Sequence, residues 1–366
     1  MSSAVIVVSD LHLGPGSNSG DYESFTEGTA FCEFLSYYAK NAEYKQLELV
    51  VAGDFFDSIQ VKLSGLLLDR VYEQHALEKI KRIVAGHPDV FSQLREFTNS
   101  SGRSVTFLVG NHDPATAFES VKSYLREIIN ASMRFEAREV CRDYIVVRHG
   151  NQWDAANHFE NDQILQTDSE GLFIRFPWGS YLVIRFVSNL RKWIPSLDHI
   201  KPIGAFIRWS LLHRPWYAII ALVHFSHFLF YYRFHPKRDQ RISFLKLRQI
   251  LRGTCYSCNL LNEATRFLKE RTRTALILGH THRAMLHWIS DELGYVNSGT
   301  WMPIIVFQNG KYTSRHHRTF VIATIPASHP KESVKLMEWL PGKGAVEFNP
   351  TFFNIHLHEG RNKFNA

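Results

Sequence analysis

Five short apolar segments, each followed by glycine or polar residues, constrain the fold of this 366-residue chain more than any other feature. Each segment has the length and the unbroken apolar character of a buried β-strand. They cover residues 4–9, 47–52, 105–109, 144–147 and 275–278. Ligands of open α/β sheets bind beyond the carboxyl ends of the strands, so we expect the polar residues that follow these segments to meet at one sheet edge.

Segments with helical spacing of apolar residues separate the strands, and this alternation predicts the α/β fold class. The predicted helices cover residues 31–39, 66–84, 120–129 and 260–270. Further strand-like runs follow the fifth strand, at residues 286–289, 295–297, 304–308, 319–324 and 333–339. The chain therefore reads as strand–loop–helix units followed by a run of shorter strands.

Metal-ligating residue types recur in the polar clusters that follow the five strands. The clusters are Asp10-Leu11-His12, Gly53-Asp54, Gly110-Asn111-His112-Asp113, His149-Gly150 and Gly279-His280-Thr281-His282. Metals of borderline hardness accept carboxylate, amide and imidazole groups, and side chains two positions apart on an extended segment point the same way. One such cluster alone is an ordinary surface feature. Five of them, in order after five strands, predict a shared metal site.

In these motifs the chain resembles the calcineurin-like metallophosphoesterase superfamily, whose pattern is D-x-H, G-D, G-N-H-D or G-N-H-E, H and G-H-x-H. The resemblance implies an αββα sandwich of two mixed sheets flanked by helices, with two divalent cations at the strand ends. It implies that Asp10, His12 and His282 hold the first cation, that Asn111, His149 and His280 hold the second, and that Asp54 bridges both. Mn²⁺ is the expected cation, and Fe or Zn stays open because the same ligands accept them.

The chemistry implied by the resemblance is hydrolysis of a phosphodiester or a pyrophosphate, with a metal-bridged hydroxide attacking phosphorus. His112 follows a ligand directly, so we expect it to face the leaving oxygen as an acid or an electrostatic stabiliser. Asp113 either orients His112 or caps the loop before Pro114. Arg283 and Asn151 each follow a ligand closely and are expected to reach the substrate.

Asp57 lies three residues after Asp54, a position from which its carboxylate can hold the imidazole of a metal ligand. A helix or turn cap is an equally acceptable interpretation of this aspartate.

Charge is distributed unevenly along the chain. Residues 171–260 contain 14 Lys and Arg and only 2 Asp and Glu, a net charge of +12, whereas the whole chain carries +7. The same window holds four of the eight tryptophans. We therefore divide the chain into a catalytic domain, residues 1–170 and 259–366, and a basic, aromatic-rich helical insert or lid, residues 171–258. The basic excess predicts an anionic partner, and a solvated basic face is the simpler alternative.

Residues 215–232 contain no charged side chain, and their number lies at the lower limit for a membrane span. A single crossing would place His149 and His280 on opposite sides of the bilayer, although both belong to the predicted site. We therefore expect no integral span. The segment is either a buried helix of the lid or part of an amphipathic lid on an anionic membrane surface.

An insert at this place resembles the lid of the UDP-2,3-diacylglucosamine diphosphatases of lipid A synthesis. That resemblance implies a lipid-linked substrate and a cytoplasmic protein, peripheral on the inner face of the cell membrane. Two features depart from the best-known members: they have arginine where this chain has His112, and this insert is longer. We expect no export, because residues 1–5 lack the features of a signal peptide.

Two other function classes stay open. The segments S-D-L-H-L-G and G-N-H-D also resemble DNA-repair exonucleases of the superfamily, and a basic surface suits a nucleic-acid backbone. A non-enzymatic, protein-binding scaffold on the same fold is the third candidate, and the sequence names no protein partner. Four cysteines exclude a disulfide scaffold, and Cys255 and Cys258 form a single C-x-x-C that is either ordinary or redox-active.

Overall fold

Two mixed β-sheets lie face to face in the computed structural model, which describes residues 2–194, 197, 200–201, 203–235, 260–308 and 311–350. In chain order the strands are β1 (Ser2–Val8), β2 (Tyr44–Val51), β3 (Arg103–Leu108), β4 (Arg134–Glu136), β5 (Val140–Arg142), β6 (Ile145–Val147), β7 (Leu165–Asp168), β8 (Gly171–Ile174), β9 (Ile200–Lys201), β10 (Thr274–Leu278), β11 (Met285–Trp288), β12 (Leu293–Asn297), β13 (Ile304–Gln308), β14 (Lys311–Arg315), β15 (Thr319–Ile325), β16 (Val334–Leu340) and β17 (Gly344–Glu347). The larger sheet has the order β17-β16-β15-β1-β2-β3-β4, and the second has the order β11-β12-β10-β6-β5.

Helices cover the outer faces of both sheets. In chain order the helices of the structure, those of the insert included, are α1 (Gly28–Lys40), α2 (Glu73–Gly86), α3 (Pro88–Asn99), α4 (Glu119–Ile128), α5 (Trp178–Leu182), α6 (Ser188–Leu190), α7 (Ile203–His213), α8 (Pro215–Arg233), α9 (Leu261–Lys269) and α10 (Pro330–Ser333). A π-helical turn, Val183–Val187, joins α5 to α6. Both sheets contain parallel and antiparallel pairs, so the predicted architecture of two mixed sheets flanked by helices is confirmed.

Alternation of side chains along β1 shows how this layering arises from the sequence. Ile6 and Val8 face the helices of the larger sheet, whereas Val5 and Val7 pack between the two sheets. Both sets are buried because successive side chains of a strand point to opposite faces and each face is covered. The unbroken apolar run is thus the signature of a strand in the middle of a sandwich.

All five strands predicted ahead of the polar clusters are present, as β1, β2, β3, β6 and β10. The predicted helix at residues 66–84 is partly wrong, because α2 begins only at Glu73. The preceding residues are extended: Ile174 donates its backbone N–H to Val71, and Tyr72 bridges to Phe173. Pairing with β8 therefore overrides the local helical spacing. The prediction also omitted α3.

The insert begins on the core of the catalytic domain. Trp178, Tyr181 and Ile184 are buried in the same apolar cluster as the helices of the larger sheet, and Phe228 and Tyr232 of α8 join them. The division of the chain at residue 171 stays a prediction. Cys255 and Cys258, like the rest of residues 236–259, lie outside the described residues. Among the helices that the structure describes, none is both long enough and apolar enough to cross a bilayer.

Candidate metal centre

Loops at the carboxyl ends of β1, β2, β3, β6 and β10 bring the five polar clusters together. Backbone hydrogen bonds tie these loops to one another: the N–H of His12 donates to Asp54 over 2.9 Å, and that of Gly279 donates to His149 over 2.9 Å. β1, β2 and β3 run parallel, as do β6 and β10, so within each sheet these ends share an edge. Parallel pairing is thus the reason why ligands distant in sequence converge.

Asp10, His12 and His282, the first ligand group, direct their polar atoms to one point. Asp10 Oδ1 lies 3.2 Å from His282 Nε2 and 3.8 Å from His12 Nε2. The two imidazole Nε2 atoms are 3.2 Å apart. All three side chains are mostly or fully buried, and the three atoms could be ligands of one ion.

Asn111, His149 and His280, the second ligand group, surround the carboxylate of Asp54. Asn111 Oδ1 lies 3.2 Å from His149 Nε2, and Asp54 Oδ2 lies 3.2 Å from the same nitrogen. Asp54 Oδ2 is also 3.7 Å from His12 Nε2, which belongs to the first ligand group. Asp54 thus stands between the two groups, at the place that the sequence resemblance gives to the bridging ligand.

Further contacts select which nitrogen each histidine presents. His149 Nδ1 donates to the carbonyl of Ala52 over 2.8 Å, which leaves Nε2 facing the site. His280 is held the other way, because its Nε2 lies 3.0 Å from Asp154 Oδ2. Its Nδ1 is the atom left for a cation. Carboxylate and carbonyl partners of this kind fix the tautomer and orientation of metal-binding histidines.

Five of the predicted ligands adopt left-handed backbone conformations. The φ angles are 54° for Asp10, 55° for His12, 53° for Asp54, 68° for His280 and 56° for His282. Residues other than glycine avoid this region, at a cost of about 1–3 kcal/mol each, and such strain clusters at functional sites. Backbone strain at five predicted ligands indicates that these loops are shaped to direct the ligand side chains, at a cost to the stability of the fold.

Two glycines leave the room that the ligands need. A Cβ atom on Gly53, whose φ is +85°, would lie 2.5 Å from His149 Nδ1. A Cβ atom on Gly110 would lie 2.1 Å from Asp54 Oδ1. Neither the ring nor the carboxylate can withdraw without leaving its group, so a larger residue at either position would displace a ligand.

The electric field of the pocket favours positive charge. Burial lowers the pKa of His149, but the carboxylates of Asp54 and Asp10 outweigh burial and raise that pKa to about 10. Burial raises the pKa of Asp10, yet the charge and hydrogen bonds of His282 and His12 hold it well below its ordinary value. Ionised carboxylates in a buried pocket attract a cation or a proton strongly.

Buried polar atoms of the two ligand groups show that divalent cations fit these residues. His280 Nδ1 is buried and has no hydrogen-bond partner within the described part of the chain. Asp10 Oδ1 is buried too, 3.2 Å from His282 Nε2 and 3.8 Å from His12 Nε2 of its own ligand group. Buried polar atoms normally have partners, and both His280 Nδ1 and Asp10 Oδ1 point where the ligand groups converge. Carboxylate, amide and imidazole donors suit a dinuclear centre, and Mn²⁺, Fe and Zn all accept this set.

His112 lies beside the ligand groups, with Asp57 as its partner. His112 Nδ1 is 2.9 Å from Asp57 Oδ1, and the ring of His112 meets the ring of His12 edge to face at 4.6 Å. Burial raises the pKa of Asp57, but His112 outweighs it and lowers the pKa below its usual value. A histidine so paired can hold a proton next to the cation site.

Of the two predicted roles of Asp113, the one that orients His112 needs correction. Its carboxylate accepts the backbone N–H groups of Gly110 over 2.6 Å and Phe55 over 2.9 Å, so it joins two of the site's loops. The orienting contact on His112 comes from Asp57 instead. Burial and the nearby charge of Asp54 raise the pKa of Asp113 to about 6.

Asn151 and Arg283 lie close to the site, and the interactions described for them are with other residues of the protein. Asn151 is buried and donates to the carbonyl of Asn157 over 3.0 Å. Arg283 is half-buried, and its charge acts on the phenol of Tyr295, opposing the burial that raises the pKa of that phenol to about 12. Their contact with substrate stays a prediction.

Sequence reasoning missed three polar residues of the site. Asp154, five residues after His149, holds His280, and the pKa of Asp154 falls to about 2 because His280 outweighs burial. Gln60 donates to Asp57, and Arg191 donates to Gln60. The position of Asp154 in the loop after His149 could have suggested it, whereas no local signal points to the other two.

One comparison with known proteins, the match to a family model, bears on these residues. The model of a calcineurin-like phosphoesterase family matches residues 3–284. A phosphopantetheinyl hydrolase from Mycobacterium tuberculosis has 10% identity and a TM-score of 0.28, with 82% of this chain and 90% of the other covered. A dimetal phosphatase from Danio rerio has 10% identity and a TM-score of 0.33, with 92% and 99% covered. No curated protein matches the chain. The two structural similarities are too low to bear on the substrate.

Proposed function

Since the chain belongs to the calcineurin-like phosphoesterase family, we propose that it hydrolyses a lipid-linked phosphodiester or pyrophosphate resembling UDP-2,3-diacylglucosamine. The observation that carries the hydrolytic part is the convergence of the two ligand groups on Asp54, with His112 beside them. Two divalent cations held there would act as Lewis acids on the phosphoryl oxygens and lower the pKa of a bound water.

The chain's own residues supply the remaining steps. His112 keeps Nδ1 on Asp57, so Nε2 is the ring atom that can deliver a proton to the leaving oxygen. Asp57 stabilises the protonated imidazole through its negative charge. Asp154 and the Ala52 carbonyl keep His280 and His149 in their orientations, and Asp113 ties together the loops that carry Asp54 and Asn111.

We predict that the purified protein hydrolyses bis(p-nitrophenyl) phosphate when Mn²⁺ is added and that a chelator stops the reaction. The reason is that the ligand side chains alone offer no strong electrophile for the phosphoryl group. Release of p-nitrophenolate measures the rate, and titration with Mn²⁺, Fe²⁺ and Zn²⁺ compares the metals. Folded, metal-loaded protein that is inactive on this and related esters would contradict the proposed function.

Exposed apolar side chains on the insert support a lipid-linked substrate. α7 and α8, here called the apolar hairpin, leave Leu212, Phe230 and Leu222 exposed by 80%, 67% and 65%. So many exposed large apolar residues on two consecutive helices favour a binding face over ordinary scatter. The others on the hairpin are Ile207, Leu211, Trp216, Ile219 and Val223. Only part of α8 packs inward, through Phe228 and Tyr232.

Charge favours an anionic membrane surface over other partners for the apolar hairpin. Residues 203–235 contain Arg208, Arg214 and Arg233 and no acidic residue. Apolar and aromatic groups with arginines beside them suit the interface of a bilayer with anionic headgroups. The phosphates of a nucleic acid could pair with the arginines, but a nucleic acid would not bury the exposed leucines.

The apolar hairpin is expected to bind vesicles that contain anionic phospholipid. Replacing Leu212 and Leu222 with serine should weaken binding by roughly tenfold for each leucine, because each buries apolar surface in the bilayer. Flotation of the protein with vesicles measures binding. Leu66→Ser is the matched control, since Leu66 is 66% exposed on the catalytic domain, outside the hairpin.

Three results would change this part of the proposal. Equal loss for Leu66→Ser and the hairpin variants would make the effect nonspecific. Salt-dependent binding to DNA without binding to vesicles would favour the nuclease alternative. Concentration-dependent dimers that the serine substitutions dissociate would assign the hairpin to a second copy of the chain.

Mass spectrometry of the lipids that copurify with an inactive variant then identifies the substrate class. We expect it to find a UDP-linked diacyl sugar.

A further inference from the structure

We propose that Arg191 is a positioning residue through which the insert holds His112 in its working orientation. The inference rests on the proposed function, because it concerns the group that delivers a proton to the leaving oxygen. It goes further by giving the insert a role in the chemical step, separate from any role in binding lipid.

A continuous series of polar contacts joins the insert to His112. Arg191, the residue after α6, donates from its guanidinium to Gln60 Oε1. Gln60 Nε2 donates to Asp57 Oδ2, and Asp57 Oδ1 lies 2.9 Å from His112 Nδ1. Arg191 and Gln60 are 131 positions apart in the chain, so this contact depends on how the insert is seated.

The chemistry of Gln60 makes the series directional. Its amide has one acceptor and one donor group, and here the acceptor faces the guanidinium while the donor faces the carboxylate. In the reverse orientation the amide NH₂ would face the guanidinium donors of Arg191, and the amide oxygen would face the carboxylate of Asp57. Gln60 is buried, so water does not replace a lost partner easily. Arg191 therefore selects the orientation in which Gln60 can hold Asp57.

Other contacts keep the two ends of the series in place. The Arg191 guanidinium carbon lies 3.7 Å from the centroid of the Tyr22 ring, a favourable cation–π distance. Ser58, next to Asp57, donates its hydroxyl to the carbonyl of His112 over 2.8 Å. The buried ammonium of Lys79 donates to the carbonyl of Ser58 over 3.0 Å. The turn that carries Asp57 is thus fixed by the catalytic domain on one side and by the insert on the other.

The insert also offers a matched control. Arg185 lies six residues earlier in the chain, pairs with Asp69 over 2.6 Å and lies over the ring of Tyr231. It makes the same kinds of contact as Arg191, an aromatic face and a polar group of the catalytic domain, but none of its described contacts reaches Asp57 or His112. A substitution of Arg185 therefore tests only how the insert packs on the catalytic domain.

Two esters with different leaving groups test the inference. Methyl p-nitrophenyl phosphate releases a stable anion that needs little protonation, whereas methyl phenyl phosphate releases a more basic one that does. Arg191→Met should lower kcat about tenfold on the phenyl ester and much less on the p-nitrophenyl ester. KM and the bound metal should stay as in the wild type. Arg191→Lys, which keeps a charged donor, should recover part of the loss.

A double-substitution cycle then separates one linked series from two independent effects. Gln60→Leu should resemble Arg191→Met, and the two together should cost no more than one alone. Arg185→Met should leave the ratio of the two rates unchanged.

Several outcomes would overturn the inference: equal losses on both esters, additive losses in the double variant, or the same change for Arg185→Met. A raised KM with an unchanged ratio would make Arg191 a substrate-binding residue instead. Wild-type protein that is inactive on both esters with metal present would refute the proposed function itself, and this inference with it.

Discussion

Replacing Asp54 with asparagine is expected to lower kcat/KM for bis(p-nitrophenyl) phosphate by roughly 10³-fold and to weaken binding of both cations. The carboxylate oxygen Oδ2 is the atom that stands between the two ligand groups, 3.7 Å from His12 and 3.2 Å from His149. An amide there keeps the shape but removes the negative charge that two cations share. The loss should therefore appear in the rate and in the metal content together.

Asparagine is the substitution of choice because of the backbone. Asp54 has a φ of 53°, a region that asparagine tolerates better than alanine does, and Oδ1 can still accept the N–H of His112. Circular dichroism should thus show a folded variant. Asp162→Asn, which removes an exposed carboxylate, is the charge-matched control. An Asp54→Asn protein with two bound cations and wild-type activity would refute the bridging role.

His112→Asn should lower kcat by roughly 10²–10⁴-fold while both cations stay bound, because His112 lies outside the two ligand groups. The loss should be largest for esters with basic leaving groups, which need the proton that His112 delivers. Asp57→Asn should produce a smaller loss of about 10–100-fold, since Asp57 acts through His112. Steady-state kinetics on the two methyl esters and metal analysis of each variant measure these effects.

An exposed histidine serves as the control for this series. His287 lies on the surface of β11, so His287→Asn should match the wild type in rate and in metal content. Loss of metal together with activity in His112→Asn would make His112 a structural support or a ligand. A uniform loss across all leaving groups would remove proton delivery from its role.

The residues around His112 illustrate how far sequence reasoning reaches. The motif Gly110-Asn111-His112-Asp113 predicted the histidine as a neighbour of the site and left Asp113 either as its partner or as a cap of the loop before Pro114. In the structure Asp113 binds the backbone of Gly110 and Phe55, and Asp57 takes the partner position. Adjacent residues in a tight loop point in different directions, so proximity in sequence is a poor guide to side-chain contact.

The insert shows a similar limit. Its basic and aromatic composition could be counted from the sequence, and two placements of residues 215–232 stayed open. In the structure α8 is covered on one part and open on another: Phe228 and Tyr232 are buried, while Leu222 and Phe230 are exposed. The apolar residues of α8 are distributed around all sides of the helix, so their spacing in the sequence could not predict which side would be buried.

The sequence by itself determined the order of the buried strands and the ligand types that follow them, because an apolar run and the chemistry of a side chain are both local properties. Tertiary structure alone decided which nitrogen His149 and His280 present, since their partners come from other loops. Asp154 reaches His280 across 126 positions, and Arg191 reaches Gln60 across 131. Such pairs form only after the sheets bring separate strand ends together and the insert packs beside them.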